Sequence, residues 1–564
     1  MCSRVNAVCL DGHGGELSIF SMPTLHNLLA AAAPLFLLSA VVTSAQVASG
    51  PAAASPSAVA QPVAVDVSKP VTPDAMPETV ALYDLLRQIS GHYTLTGQHN
   101  PPSAGGRNSN FATHYTGKVP AVWTSDFGFA GPGDSDSYQS RSIVVAEAIR
   151  QHQQGAIISL CWHAVPPTAD EPVTFRPLAN ADPAALHSVQ GRLLDNQFKD
   201  LLTPGTALHT HWLAQVDAIA GFLKQLQDAH VPIIWRPYHE MNGDWFWWGG
   251  RSQGEYTTAA LYRQIYDRFV NFHHLKNLLW LWSMDRVSKP GMEHEKFFPG
   301  LQYVDVLGLD VYGNDFAQSY YDSLVKLAQG KPLALAEVGN VPPPEVFEKQ
   351  PLWTYYAVWT AMVRNTSQTE YEIAFSGEHV LTMQSPAFAE ITADYRRRCQ
   401  LPVLHAESHP ADFSGNWVLN TDASRLGRGG AAWVAAKMQV TQTGDALTVR
   451  STRIREYTDD EVTTETYKLD GSETKSEFMK APRVTTAELN SDRTLFSLHS
   501  IAYPAMGPNG NKFETRETWM VLDKVDRLAI RSVSDSFGGG EKVTQTLVYD
   551  RDHDPVDQSN PTSK

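Results

Sequence analysis

The chain has 564 residues, a formal net charge of −15, 43% hydrophobic residues and 10% aromatic residues. This length predicts more than one domain, and the apolar content is typical of globular cores rather than of disordered segments. The negative charge argues against nucleic acid or an anionic membrane as a partner, because both attract cationic surfaces.

The N-terminal region predicts an export signal followed by a linker. An apolar run from Leu28 to Val42 precedes the small residues Thr43-Ser44-Ala45, which is typical of a secretory signal and its cleavage site. The run is too short for a confident membrane span, so we expect a secreted, periplasmic or extracellular protein with no integral membrane association. Residues 1–46 are the predicted signal, with Met22 as an alternative start and an uncleaved anchor as the alternative interpretation. Residues 47–76, rich in Ala, Pro and Ser, predict a flexible linker.

Four cysteines occur in the chain, and Cys2 and Cys9 would leave with the signal. Cys161 lies in an apolar strand-like run and is predicted to be a buried free thiol. A disulfide between Cys161 and Cys399 is the alternative that the sequence leaves undecided. The sequence contains no HExxH, phosphate-binding loop or GxSxG pattern. We therefore expect no metal and no organic cofactor.

Residues 77–405 alternate between strand-like and helix-like segments. Eight apolar segments predict strands: Tyr93–Gly97, Ala121–Ser125, Ala156–Trp162, Pro232–Arg236, Leu278–Trp282, Val304–Leu309, Leu333–Glu337 and Tyr355–Trp359. Helical patterns between them include Trp212–Ala229, Tyr256–His274 and Phe316–Gln329. Eight strands alternating with helices predict an α/β fold of the (β/α)8 TIM-barrel type. An open doubly wound sheet is the alternative, although no GxGxxG turn follows the first strand.

Polar side chains follow most of the predicted barrel strands. They are Gln98, His99, Asp126, His163, the segment Arg236 to Glu240, Asp285, Asp310, Tyr312, Glu337 and Trp359. Active sites of such barrels lie at the C-terminal ends of the strands. These residues are therefore expected to share one cleft.

Residues 406–552 have a different sequence pattern, in which short segments rich in Val, Thr, Leu and Tyr alternate with turn residues. They predict a smaller all-β antiparallel domain, either a barrel or a sandwich. The segment Phe413-Ser-Gly-Asn-Trp417 resembles the opening of lipocalin-like barrels. The sequence leaves two functions undecided for this region: a carbohydrate-binding module, or a non-catalytic domain with a different role. Residues 553–564 predict a polar, disordered tail.

The segment from Trp235 to Gly250, WRPYHEMNGDWFWWGG, combines acids, histidine, arginine and many aromatic rings directly after an apolar strand. Aromatic rings stack on sugar faces, and their low polarity raises the pKa of an acid that must donate a proton. A second acid, Glu337, ends the strand Leu-Ala-Leu-Ala-Glu. Glycoside hydrolysis needs two such carboxyl groups, and Glu240 and Glu337 are the candidates if they belong to the fourth and seventh barrel strands.

The segment from Arg236 to Gly249 resembles the acid/base signature of glycoside hydrolase family 26. That resemblance covers about residues 80–400 and implies a retaining β-mannanase on a (β/α)8 barrel. It implies Glu240 as general acid/base and Glu337 as nucleophile. It also implies that the subsite around the reacting sugar is lined by His163, Arg236, His239, Trp245, Asp310 and Tyr312, with Trp359 as an aromatic platform. Arg236 and Tyr312 are the expected donors that keep Glu337 ionised, and retention predicts carboxyl groups about 5–5.5 Å apart.

The predicted function is a retaining endo-β-1,4-mannanase that cleaves β-mannan, glucomannan or galactomannan by double displacement. Alternatives within the family are an exo-acting mannobiohydrolase and a mixed-linkage β-glucanase. An alternative of another class is a polysaccharide-binding protein without catalysis. A monomer is expected.

Overall fold

The computed structural model describes residues 65–553 except for 129–136, 405–408, 428, 457, 506–511 and 538. The predicted signal, residues 47–64 of the predicted linker and residues 554–564 of the predicted tail lie outside the described residues. No helix within the described residues is both long and apolar enough to span a membrane.

The first half of the described chain forms a closed parallel barrel. Its strands are β1 (Thr94–Leu95), β2 (Gly97–His99), β3 (Val122–Asp126), β4 (Ile157–Trp162), β5 (Ile233–Pro237), β6 (Leu278–Asp285), β7 (Val306–Val311), β8 (Leu333–Val338), β9 (Trp353–Val358) and β10 (Val380–Leu381). Strands β2 to β9 pair in chain order, and β9 returns to pair with β1 and β2. The predicted TIM barrel is confirmed, and the doubly wound alternative is wrong. At the closure Gly97 is required, because a Cβ there would lie 2.3 Å from the carbonyl oxygen of Tyr356.

Helices surround this barrel. They are α1 (Pro77–Ile89), α2 (Arg107–Thr116), α3 (Arg141–Gln154), α4 (Asp195–Leu202), α5 (Ala207–Asp228), α6 (Thr258–Asp267), α7 (Gln318–Ala328), α8 (Pro344–Lys349), α9 (Gln368–Phe375), α10 (Pro386–Ile391) and α11 (Ala393–Arg398). The predicted helix over residues 256–274 is shorter than expected, because α6 gives way to a π-helical turn, Arg268–Phe272.

The barrel strands are apolar on both faces, as expected when helices cover the outside. Ile234 and Leu279 belong to the cluster that fills the barrel interior. Their neighbours Ile233, Trp235 and Trp280 point outward into a second cluster between strands and helices. This two-sided burial leaves the C-terminal strand ends as the place where polar side chains gather.

Residues 65–76, assigned to the flexible linker by composition, are bound to the barrel. The backbone N–H of Val71 donates to Asp305 at 2.7 Å, and its carbonyl accepts from Tyr266 at 2.7 Å. Thr72 is 3% exposed. These contacts correct the linker prediction for this stretch, because local composition does not reveal hydrogen bonds to residues about 200 positions away.

The C-terminal part forms one antiparallel sheet of ten strands. They are β11 (Gly415–Leu419), β12 (Lys437–Gln442), β13 (Ala446–Arg453), β14 (Glu461–Lys468), β15 (Thr474–Phe478), β16 (Ala481–Leu489), β17 (Leu495–Ala502), β18 (Phe513–Leu522), β19 (Arg527–Ser534) and β20 (Val543–Arg551). The sheet runs from β14 through β11 and β20 to β15. Its two edges meet where Thr474 donates to the Thr466 carbonyl at 3.4 Å. The domain is thus a nearly closed barrel, and the sandwich alternative is wrong.

Trp417 and Trp519 lie inside this second barrel, 0% and 3% exposed. The guanidinium of Arg551 lies 4.1 Å from the Trp417 ring centroid. The likeness to lipocalin-like barrels stays a prediction.

Candidate active site

A buried hydrogen-bond network holds Glu337 at the C-terminal end of β8, the seventh barrel strand. Arg236, from β5, donates to Glu337 Oε2 at 2.8 Å and also to Asp310 of β7. Tyr312 donates its hydroxyl proton to the other oxygen, Oε1. Both carboxyl oxygens of Glu337 therefore accept a hydrogen bond, which fixes the orientation of this group.

Arg236 is itself held by neighbouring strands. Its Nε donates to Ser283 Oγ at 3.1 Å, and Ser283 donates to Asp310 Oδ1 at 2.6 Å. Burial raises the pKa of Asp310, and the charge of Glu337 raises it further, although Arg236 opposes this shift. Ser283 was not among the predicted site residues, although it directly follows the predicted strand Leu278–Trp282.

Glu240 lies just after β5, the fourth barrel strand, and its environment differs from that of Glu337. Burial raises the pKa of Glu240 well above its usual value, and the negative charges of Glu337, Asp310 and Asp285 raise it further. Trp245 donates its indole N–H to Glu240 Oε2 at 2.7 Å. The site therefore places one carboxyl group where burial favours the protonated acid and holds the other with two hydrogen-bond donors.

The backbone around Glu240 is unusual. Tyr238 and Glu240 have φ values of 49° and 51°, in the left-handed region that non-glycine residues rarely adopt. The N–H of Glu240 donates to the Ser283 carbonyl at 3.0 Å, which anchors the turn to β6. Such backbone strain is concentrated at functional sites.

Three further predicted residues form an aromatic wall. The His163 ring centroid lies 4.4 Å from that of His239 and 5.7 Å from that of Trp359. Trp359 also packs on His99 at 4.0 Å. His239 is 1% exposed, and its Nδ1 has no hydrogen-bond partner among the described residues. Burial, with the positive charge of Arg236, lowers the pKa of His239 well below its usual value, so this ring is neutral.

Asp126, at the end of β3, orients His163. Its carboxylate accepts from the His163 ring Nδ1, from the His163 backbone N–H at 3.1 Å and from the Gly128 N–H at 2.5 Å. Burial alone would raise the pKa of Asp126, but the charge and hydrogen bond of His163 lower it. The sequence placed Asp126 at a strand end without assigning it to the site, and the adjacency of β3 and β4 was the available signal.

Cys161 completes a buried group with Asp126 and His163 whose donor atoms are close enough for a metal ion. The Cys161 thiol donates to Asp126 Oδ2 at 3.2 Å. Burial raises the pKa of this thiol well above its usual value, whereas a metal ligand would be a thiolate. We assign the three groups to a hydrogen-bonded cluster.

The tryptophans of the segment 245–248 separate into two groups. Trp247 and Trp248 are 0% exposed and donate to the carbonyls of Ala164 and His239, both at 2.8 Å. Trp245 is partly exposed and contacts Glu240. Two of the three rings thus support the loop, and one is available at its surface.

The fold and the site define a TIM-barrel protein with two acidic side chains, in contrasting environments, beside histidines and aromatic rings. This is the arrangement that glycoside hydrolysis by two carboxyl groups requires. The model of glycosyl hydrolase family 26 matches residues 71–381, and the chain belongs to this family.

Similar proteins include a mannan endo-1,4-beta-mannosidase from Thermothelomyces thermophilus, 33% identical over 323 residues, which cover 55% of this chain and 62% of that protein. A mannan endo-1,4-beta-mannosidase from Bacillus subtilis is 28% identical over 331 residues, 53% of this chain and 84% of that protein. The solved structure of GH26A from Muricauda sp. MAR_2010_75 is 40% identical with a TM-score of 0.50, covering 55% of this chain and 98% of that chain.

These likenesses have a limited extent. The chain spans 62%, 55% and 50% of the length of three of the curated relatives it matches. The family match ends at residue 381, before β11 begins at Gly415. The second barrel therefore lies outside the family match.

Proposed function

We propose that the protein is a retaining endo-β-1,4-mannanase that cleaves mannan, glucomannan or galactomannan. The observation that carries this proposal is the contrast between Glu240, whose pKa is raised by burial, and Glu337, whose carboxylate accepts from Arg236 and Tyr312. Curated relatives named mannan endo-1,4-beta-mannosidase support mannan as the substrate.

In the first step, a Glu337 carboxylate oxygen attacks the anomeric carbon while Glu240 gives its proton to the departing glycosidic oxygen. The bond to the leaving sugar breaks, and a covalent glycosyl ester on Glu337 forms. In the second step, Glu240 accepts a proton from water, the water oxygen attacks the same carbon, and the ester bond to Glu337 breaks. Two inversions give net retention, and both carboxyl groups return to their starting states.

The remaining site residues are proposed to bind the sugar. Arg236 and Tyr312 hold Glu337, while Asp310 and Ser283 hold Arg236. The unsatisfied Nδ1 of His239 and the ring of His163 are suited to sugar hydroxyls. Trp245 and Trp359 offer aromatic faces to the substrate.

The test is a time course of products from carob galactomannan and from mannohexaose. Wild type is compared with Glu337→Gln, and Glu390→Gln on the exposed face of helix α10 serves as a matched control. A spread of oligosaccharides that disappears only in Glu337→Gln, with products first appearing as the β-anomer by NMR, is expected.

Other outcomes would overturn this proposal in distinct ways. Release of mannobiose alone would favour the exo-acting alternative. Activity only on mixed-linkage β-glucan would favour the glucanase alternative. Binding of mannan without turnover would favour a non-catalytic polysaccharide-binding protein.

We also propose that the protein is exported and acts as a monomer outside the cytoplasm. The apolar run from Leu28 to Val42 and the small residues after it support this proposal. N-terminal sequencing of the mature protein from a secreting host tests it, and an intact N-terminus in the cell pellet would refute export.

A further inference from the structure

The C-terminal barrel is docked on the catalytic barrel through a mixed apolar and ionic contact. Ile373, on helix α9, is 8% exposed and packs with Leu522 and Val548 of the second barrel. Arg531 forms an ion pair with Glu348 at 2.5 Å, and Arg425 forms one with Glu370 at 2.7 Å. Apolar packing together with these ion pairs fixes one face of the second barrel against the first.

A cavity of about 460 Å³ lies at this contact. Its volume falls within the range of small-molecule binding sites, about 300–1,000 Å³. One wall comes from the loops after β7 and β8 and the start of α9, and the other from the loop after β11 together with β19 and β20. Neither barrel alone would enclose it.

The cavity begins close to the proposed catalytic carboxylate. Asn340, which lines it, is three residues after Glu337, and Asn314 is two residues after Tyr312. An extended chain spans at most about 3.6 Å per residue, so the Cα atoms of Asn340 and Glu337 are within about 11 Å of each other. The cavity therefore lies near the C-terminal face of the catalytic barrel, the face on which the site lies.

The lining is suited to a neutral, hydroxyl-rich ligand. Val341-Pro342-Pro343-Pro344 forms a rigid apolar strip on one side. Across from it lie the side chains of Asp422 and Arg425. Glu345 and Asp422 have no ion-pair partner among the described residues, whereas Arg425 is neutralised by Glu370. This excess of carboxylate disfavours an anionic ligand, since like charges repel.

We propose that this cavity is a distal binding site for the polysaccharide, in which the C-terminal barrel holds mannosyl units of the main chain that extends from the catalytic cleft. The proposal rests on the mannanase function proposed above and adds a role for the second barrel. Sugar C–H faces would lie on the proline strip, and sugar hydroxyls would bond to Asn340 and Asp422. The second barrel thereby lengthens the catalytic cleft.

The experiment compares kcat/KM on mannotetraose, mannohexaose and linear mannan in the full-length protein. Asp422→Leu and Asn340→Leu each fill the cavity and remove a polar group, one from each wall. Asp445→Leu, at an exposed turn of the second barrel, is the matched control. Thermal unfolding checks that every variant folds.

Loss of one or two hydrogen bonds to the sugar predicts that both cavity variants lose about three- to tenfold in kcat/KM on mannohexaose and mannan. We expect mannotetraose and the control to be unaffected. Equal losses on short and long substrates, or no loss on either, would refute the distal site while leaving the mannanase proposal intact. A wild type that hydrolyses none of the three would instead refute the proposed function, and the distal site with it.

Discussion

Replacing Tyr312 by Phe removes one of the two hydrogen bonds to Glu337 and leaves the ring in place. In the structure Tyr312 donates to Oε1, while Arg236 donates to Oε2 at 2.8 Å. The variant therefore leaves one carboxylate oxygen without its protein donor. Nothing else in the described network depends on the Tyr312 hydroxyl, so the effect is confined to the proposed nucleophile.

The expected magnitude follows from the charge of the acceptor. A hydrogen bond to a charged group contributes about 1.5–3 kcal/mol, and 1.4 kcal/mol corresponds to a factor of about ten. The loss in kcat/KM is therefore about 10- to 150-fold. Tyr312 is only partly buried, so water replaces part of the lost bond and the lower end of this range is expected.

The assay is kcat/KM on mannohexaose, with the melting temperature of each variant measured in parallel. Tyr320→Phe provides the matched control, because Tyr320 lies on the surface helix α7 and bonds only to the exposed Asp315. A loss below twofold in a Tyr312→Phe protein that melts like wild type would refute the assigned role of this hydroxyl. An equal loss of kcat/KM in Tyr320→Phe would show that the effect is not specific to the Tyr312 hydroxyl.

Three other variants test the acid, the histidine and the docked barrel. Glu240→Gln should lower kcat on mannan about 10²- to 10⁴-fold. Burial raises the pKa of Glu240 in the folded protein. The stability contributed by protonated Glu240 is therefore fully present below the pKa of the unfolded chain, about 4.3, and is lost as the pH rises through the pKa of the folded protein. The melting temperature of Glu240→Gln should therefore exceed that of wild type increasingly with pH, and a constant gap would contradict this. Asp126→Asn should lower kcat/KM about tenfold by releasing His163; unchanged kinetics would show that β4 alone orients the ring. Ile373→Ala should cost about 2–5 kcal/mol, seen as a lower melting temperature in calorimetry, and an unchanged temperature would show that the ion pairs suffice for docking.

The sequence determined the architecture because each barrel strand carries its own apolar signal. Strands such as Leu333–Val338 are buried on both faces, and that pattern is local. The boundaries of the barrel strands were placed within a few residues. The predicted linker was too long because hydrogen bonds to distant residues leave no mark in composition.

The sequence also indicated the two glutamates, since each directly follows an apolar run in an unusual setting. What it did not determine was which side chains meet. Ser283, Asp126 and the other partners of Arg236 come from four different strands, and their encounter depends on barrel closure. Spacing along the chain carries no information about such contacts.

Tertiary structure alone decided the relation between the two barrels. Ile373 on α9 is an ordinary buried residue by sequence, yet it packs into the core of another domain. The cavity beside it is built from segments more than 200 residues apart in the sequence, including Asn314 in a loop and Thr546 in β20. Local sequence patterns determine strands and helices because these elements depend on residues close in sequence. A shared cavity depends instead on how the surfaces of two folded domains pack together.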